Sequence, residues 1–375
     1  YDYAGLETCA TDSLCASACP VGIDTGALVK RLRADGHSRW QRRQAQLAAG
    51  QFKSIERGLR LALSAAHFGQ SLGTQKPLNF ALNQASHWLN SPLPRWDDRL
   101  PPATLKPLPT TPVDAARFVY FPSCLSRSLG YHGEQTLPEV VMALAEAAGI
   151  TMYLPESTSG HCCGLPFGSK GFPEADQKNQ DETVKYLKAV SQQGHLPIVM
   201  DTSPCVYHLQ ARLFEEGLTV LDFVDFSERY LLPVLELQPV YEHLFVHPVC
   251  SLQKMNLAPA LTRIAERCAH RVSAPLMPTC CGTAGDRGLL YPELTQAALA
   301  EVELQLNQDP ADMLCASSRS CEMGISLSLD REVLSIAHIM YAALQDAGEV
   351  SKDNPQRTPE RAPGRDPERN KESEN

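Results

Sequence analysis

Arg117-Phe-Val-Tyr-Phe-Pro-Ser-Cys124 and Leu244-Phe-Val-His-Pro-Val-Cys250 read as one element met twice: a short apolar run, then Pro, then a cysteine. Apolar runs this short, closed by a turn residue, are the signature of buried strands. Working outward from the first, a helix follows over about Leu137–Ala148, then a strand, Thr151-Met-Tyr-Leu154. Next come the Cys162-Cys163-Gly164 turn, a helix near Asp181–Val190 and a buried strand, Leu196-Pro-Ile-Val-Met-Asp201, that runs into Thr202-Ser-Pro-Cys205 and another helix. The second unit repeats the order. A helix near Ala258–Cys268 leads to Cys280-Cys281-Gly282, a helix over Tyr291–Gln305, and Asp312-Met-Leu-Cys-Ala316, which enters Ser318-Arg-Ser-Cys321 and a helix. The closing segments match too, Leu218–Val224 against Glu332–Ala337. Strand–helix alternation means a parallel α/β sheet in each unit. A twofold repeat of about a hundred residues fits two pseudo-symmetric lobes rather than a solenoid.

The cysteines of each unit fall at strand ends or just after them, where open parallel sheets place ligand sites. Cys124, Cys162, Cys163 and Cys205 are therefore expected to converge in the first lobe, and Cys250, Cys280, Cys281 and Cys321 in the second. Four thiolates suffice for a tetrahedral zinc or an iron–sulfur cluster. His161 beside one pair and His247 before Cys250 are expected near those sites as supporting groups. Cys268 and Cys315 match nothing across the repeat and read as small buried hydrophobes.

A different cysteine pattern opens the chain, Cys9-Ala-Thr-Asp-Ser-Leu-Cys15-Ala-Ser-Ala-Cys19-Pro20. The bacterial cluster run is C-x2-C-x2-C-x3-C-P, whose fourth cysteine ligates the other cluster of a pair. Cys9, Cys15, Cys19 and Pro20 sit at its offsets, with Asp12 in the second cysteine position. Cys9 and Cys15, with Asp12, are expected to hold the nearer cluster, and Cys19 to reach the other one. Asp12 would ligate iron through oxygen, leave that place to solvent, or leave a 3Fe–4S in place of a 4Fe–4S cluster. No second run occurs in the sequence, and the chain begins with Tyr1. The expectation is a downstream piece of a longer polypeptide, cut between two cluster motifs.

Composition agrees with metal chemistry. Thirteen cysteines are far too few for a disulfide scaffold, their number is odd, and two pairs are adjacent. Vicinal pairs close a strained ring if oxidised, so the reading is a reducing cytosol with thiolates kept for soft metals. The net charge of −9 argues against general nucleic-acid binding. No apolar run reaches the length of a membrane span. From Lys30 to Arg60, however, nine basic residues (Lys30, Arg31, Arg33, Arg39, Arg42, Arg43, Lys53, Arg57 and Arg60) stand against Asp35 and Glu56. This segment reads either as a solvated helix face or as a docking surface for an acidic partner or an anionic membrane, which would put the protein peripherally on the inner face of the cell membrane. No phosphate loop or dinucleotide fingerprint is present.

The C…CCG…Cys pattern, found twice, resembles the cysteine-rich (CCG) domain of heterodisulfide reductases and of glycolate oxidase iron–sulfur subunits. Thr202 and Ser318 stand where that pattern has the first cysteine of a C-x-x-C, so the five-thiolate site of the reductase is not reproduced. With Tyr1–Gly26 added, the chain resembles the C-terminal half of bacterial FAD-linked D-lactate dehydrogenases. That resemblance implies an upstream FAD domain that oxidises a D-2-hydroxy acid and electrons that pass through the clusters to a quinone or cytochrome. Two rivals remain: a thiol/disulfide-handling enzyme and a zinc-stapled scaffold that docks a flavoprotein. The expected class is thus α+β/α/β, an N-terminal helical ferredoxin-like region (1–90), a Pro-rich linker (91–115), two pseudo-symmetric CCG lobes (116–232 and 243–347) and a disordered charged tail (348–375).

Overall fold

Every residue of Phe118–Phe121 (β1) is buried, as a strand covered on both faces requires. In the computed structural model, which describes residues 2–71, 75–89, 96–104, 106–131 and 135–351, β1 lies inside a parallel sheet with Met152–Tyr153 (β2), Ile198–Met200 (β3) and Val220–Asp222 (β4), in the order β2-β1-β3-β4. Tyr241–Val246 (β5), Ala269–Ser273 (β6), Met313–Ala316 (β7) and Val333–Ser335 (β8) build the second sheet in the equivalent order β6-β5-β7-β8. The registers correspond, with Phe121 opposite Met200 in one sheet and Val246 opposite Cys315 in the other. The repeat read from the sequence is therefore a repeat of topology. One strand, β6, was absent from that reading. Its sequence Ala-His-Arg-Val-Ser is polar because it is an edge strand with His270 and Arg271 exposed.

The two sheets share a single apolar cluster: Phe118, Tyr120, Leu144 and Val199 of the first lobe are continuous with Phe245, Leu261, Leu314 and Ile339 of the second. The carboxyl ends of the sheets meet. Ser203, just after β3, bonds Ser317, just after β7, through hydroxyls 3.0 Å apart. Tyr131 donates to buried Glu322 at 2.7 Å, and Arg319 stacks 3.6 Å from the Tyr131 ring while bonding Glu322 and the Gly130 carbonyl. The last helix, Ile336–Ser351, packs back on the first lobe's Leu137–Ala147 and runs into the stretch read as tail; residues 352–375 lie outside those described.

Ahead of the lobes come helices Thr25–Gly36, Arg39–Gly50, Phe52–Ser71 and Gln75–Leu89. Asp24 caps the first by accepting from Ala27 N–H, and Ser38 and Gln41 form a capping box on the second. Ala45 and Ala49 seat the second against Ala175 of the lobe-one helix Pro173–Val190. The described part of the Pro-rich stretch is stitched down, not free. Thr104 and Gly130 bond across it (Thr104 N to Ser128 O, Gly130 N to Pro102 O), and Thr111 bridges Met152 O and Leu154 N at 2.7 Å each. Residues 91–95 and 105 of the expected linker lie outside those described.

Two members of the charged segment Lys30–Arg60 are structural, one basic and one acidic. Arg33 is buried and bonds the carbonyls of Leu6, Ser169 and Cys9. Glu56 takes Arg127 at 2.6 Å in an ion pair with both side chains 3% exposed, and also accepts from Ser159 and Gly160. Lys30 is half-buried, whereas Arg31, Arg39, Arg43, Lys53 and Arg57 remain exposed. No described helix is long and apolar enough to cross a membrane.

Breaking a buried pair strands the other charge. Glu56→Leu should cost about 3–5 kcal/mol in urea unfolding, and adding Arg127→Leu should restore part of it; equal losses in single and double variants would contradict the pairing. Burial holds the Asp222 carboxyl, whose Oδ1 accepts from Val224 N–H at 2.8 Å, up to about 7. The folded chain keeps that proton while the unfolded chain releases it, so stability should fall as pH rises from about 4 to about 7. Asp222→Asn should flatten that slope; an unchanged urea midpoint-versus-pH curve would contradict it.

Candidate metal centres

The chain leaves β1 toward β2 on one side and returns to β3 on the other, so the helix after β1 and the helix after β3 start side by side at the carboxyl edge. This is the switch point where open α/β sheets bind ligands. Cys124 is the first residue of helix Cys124–Ser128, capped by Ser123; Cys205 sits in the first turn of helix Ser203–Glu215. Helix N-termini favour thiolate. The Cys162-Cys163-Gly164 turn comes between them, and the four sulfurs form a row: Cys124 donates to Cys162, Cys162 to Cys163, and Cys163 to Cys205. Donation to Cys162, then burial, holds the Cys124 thiol well up. Cys205 is lowered by the bond from Cys163, but burial outweighs it and leaves the thiol above its ordinary range. Protonated thiols in a dry row are a site that releases its protons when a metal takes them.

The second lobe repeats the arrangement. Cys250 opens helix Cys250–Lys254 after β5, and Cys321 lies in the first turn of helix Arg319–Leu329 after β7. Here the bonds converge. Cys280 and Cys321 both donate to Cys281, whose thiol is thereby held well below its ordinary range. Cys280 also bonds Cys250. His247 is 2% exposed, and neither ring nitrogen has a partner among the described residues. Burial keeps it neutral. His161 stacks on Tyr186 at 3.9 Å and is lowered to about 4 by burial and then by Arg127.

The glycine of each motif explains its presence. Gly164 has φ +91° and Gly282 φ +72°, and each donates its N–H to the first sulfur of its pair, at 3.5 and 3.4 Å. A Cβ would fall 2.7 Å from the Asp176 carbonyl oxygen at Gly164 and 2.7 Å from that of Leu294 at Gly282. Only glycine permits both the turn and the approach.

Thr202 and Ser318 are the N-caps of the two later helices. Thr202 donates to Ser123 Oγ at 2.9 Å and to Asp201 at 3.1 Å; Ser318 pairs with Ser320. Asp201, a buried carboxylate held also by Tyr120 OH at 2.7 Å and Ser123 N–H at 3.0 Å, was missed in the sequence. A lone Asp at a strand end carries no spacing signal. Cys268 and Cys315 are fully buried, Cys268 donating to Ile264 O.

The opening run is held by hydrogen bonds to sulfur. Thr25 Oγ1 lies 3.1 Å from Cys15 Sγ and lowers its thiol, and the N–H groups of Ile23 and Val21 lower Cys19. Thr11 N–H reaches Cys9 Sγ at 3.4 Å. The carboxylate of Asp12, expected at a cluster with Cys9 and Cys15, lies with the sulfurs of Cys250 and Cys280 in the one trio of ligand atoms within 4.8 Å of one another among the described residues.

A family model for a cysteine-rich domain, CCG, matches residues 118–210 and 244–326. Two stretches of the chain are thus similar to this cysteine-rich domain. Both matches span the strand-end cysteines just described, and the clustered thiols of the CCG domains mark a metal- or redox-related function. Among solved structures, a hypothetical protein from Helicobacter pylori aligns at TM-score 0.35 and 12% identity, over 68% of this chain and 53% of its own. An aspartate racemase homologue from Pyrococcus horikoshii OT3 aligns at TM-score 0.26 and 10% identity, over 62% and 99%. The chain spans about half the length of the first.

Gly164→Ala and Gly282→Ala should each destabilise by at least about 1–3 kcal/mol and lower the metal content of their own domain alone. Retention of full metal and stability in either variant would contradict the role given to the turn.

Proposed function

We propose that the chain is the iron–sulfur electron-transfer portion of a flavin-dependent 2-hydroxy-acid dehydrogenase of the D-lactate type. In this reading it takes electrons from FAD in an upstream domain and passes them to a quinone or cytochrome. The observation that carries the reading is the direct lodging of the cluster-type run against a CCG domain. Lys254, at the end of the helix begun by Cys250, donates to the Asp12 carbonyl at 2.7 Å, so two cysteine groups of different type are fastened together. The residues of both groups fit such cofactors: soft sulfur donors, buried or beside helix N-termini, with N–H groups aimed at several sulfurs.

An iron–sulfur cluster bound there supplies one-electron exchange. The chain's own contribution is to hold and tune it. Cys9 and exposed Cys15 would hold the run's nearer cluster, and half-buried Cys19 would serve the other one. Buried Cys162, Cys163, Cys281 and Cys321 exclude water, and N–H donors from Gly164 and Gly282 raise the potential by favouring added negative charge. Exposed Arg31, Arg39, Arg43, Lys53 and Arg57 supply a basic face for an acidic partner or for the inner surface of the membrane.

Iron and acid-labile sulfide analysis of anaerobically purified chain, with EPR after dithionite reduction, tests this. The expected result is brown protein with both elements and a reduced-cluster signal. Colourless protein holding two zinc ions would replace electron transfer by the scaffold reading.

A further inference from the structure

We propose that Asp12 is a ligand of the metal centre of the second CCG domain, beside Cys250 and Cys280, so that the N-terminal run is fastened to that domain through the metal. The inference rests on the metal-binding reading of that domain and adds a donor from outside it. Three observations converge. The Asp12 carboxylate oxygen and the sulfurs of Cys250 and Cys280 lie within 4.8 Å of one another, the spacing of donors around one ion. His247, three residues before Cys250, is buried with both ring nitrogens unpartnered among the described residues, so this domain has buried polar capacity that no described residue uses. The backbone is also forced at this place: Thr11 and Ser13 have φ of +51° and +63°, left-handed values that a β-branched residue adopts at a cost.

The rest of Asp12's surroundings leave its carboxylate free to bind. Its one described hydrogen bond is from Leu14 N–H to Oδ1 at 3.2 Å, and no described Lys or Arg forms an ion pair with it. Main-chain anchors on both sides keep it in place, Lys254 on the Asp12 carbonyl and Arg33 on that of Cys9. The first domain gains no such carboxylate among the described residues. Two sulfurs, an oxygen and Cys281 in contact with Cys280 make a mixed donor set suited to zinc or ferrous iron.

Cobalt(II) is the probe, loaded into full chain stripped of metal and followed by its thiolate charge-transfer absorption. Asp12→Cys should raise that absorption by the contribution of one thiolate, and Asp12→Ala should weaken cobalt binding at this site by at least about tenfold. Cys268→Ala, at a buried thiol outside every metal group, should leave the band as it is, while Cys280→Ser should diminish it. A band that depends on Cys280 but is indifferent to both substitutions at position 12 overturns the inference and leaves the metal site standing. Absence of any Cys280-dependent band overturns both. Should Asp12→Ala fail to fold, an unchanged band in Asp12→Cys still decides against it.

Discussion

Two parallel strands placed side by side, with crossovers that leave on opposite sides, force two helix N-termini together at one edge of a sheet. That constraint on β1 and β3, and again on β5 and β7, is what the remainder of the molecule depends on. It places Cys124 near Cys205 and Cys250 near Cys321 although more than seventy residues separate each pair in the chain. The CCG turns need only fold in between, and their left-handed glycines let them do so while lying flat on the next helix. Because the carboxyl ends of the sheets meet at Ser203 and Ser317, with one apolar cluster behind them, the two thiol groups belong to one continuously packed unit.

Twofold topology does not make the two groups alike. In the first domain the thiols pass hydrogen bonds along a row toward Cys205; in the second they converge on Cys281, with buried His247 beside it. The N-terminal segment deepens the difference. Glu56 is committed to Arg127 beside the first group, whereas Asp12 and Lys254 meet at the second. One domain receives an ion pair, the other a carboxylate with no ion-pair partner among the described residues.

The repeat, the parallel sheets and the strand-end cysteines were legible because each rests on local pattern: apolar runs of strand length, helical spacing, and cysteines just after them. What escaped depends on tertiary contact. β6 is polar because an edge strand needs no apolar face outward. Glu56 and Arg33 read as members of a charged helix surface, and only packing shows that both are buried. Asp12 was recognised as a ligand position, but sequence spacing ties a residue to its own motif and cannot say that its carboxylate also lies beside Cys250 and Cys280. Likewise Thr202 and Ser318 read as replaced thiols, and only the structure shows their hydroxyls bonded to Ser123 and Asp201 and to Ser320.

The central claim is that the strand-end thiols of the two CCG domains converge on metal. Metal-edge X-ray absorption on anaerobically isolated chain measures that convergence directly. The account predicts a sulfur shell at about 2.3 Å that shrinks when Cys162 or Cys281 is replaced by serine. A spectrum of oxygen and nitrogen scatterers alone, unchanged by either substitution, would contradict it.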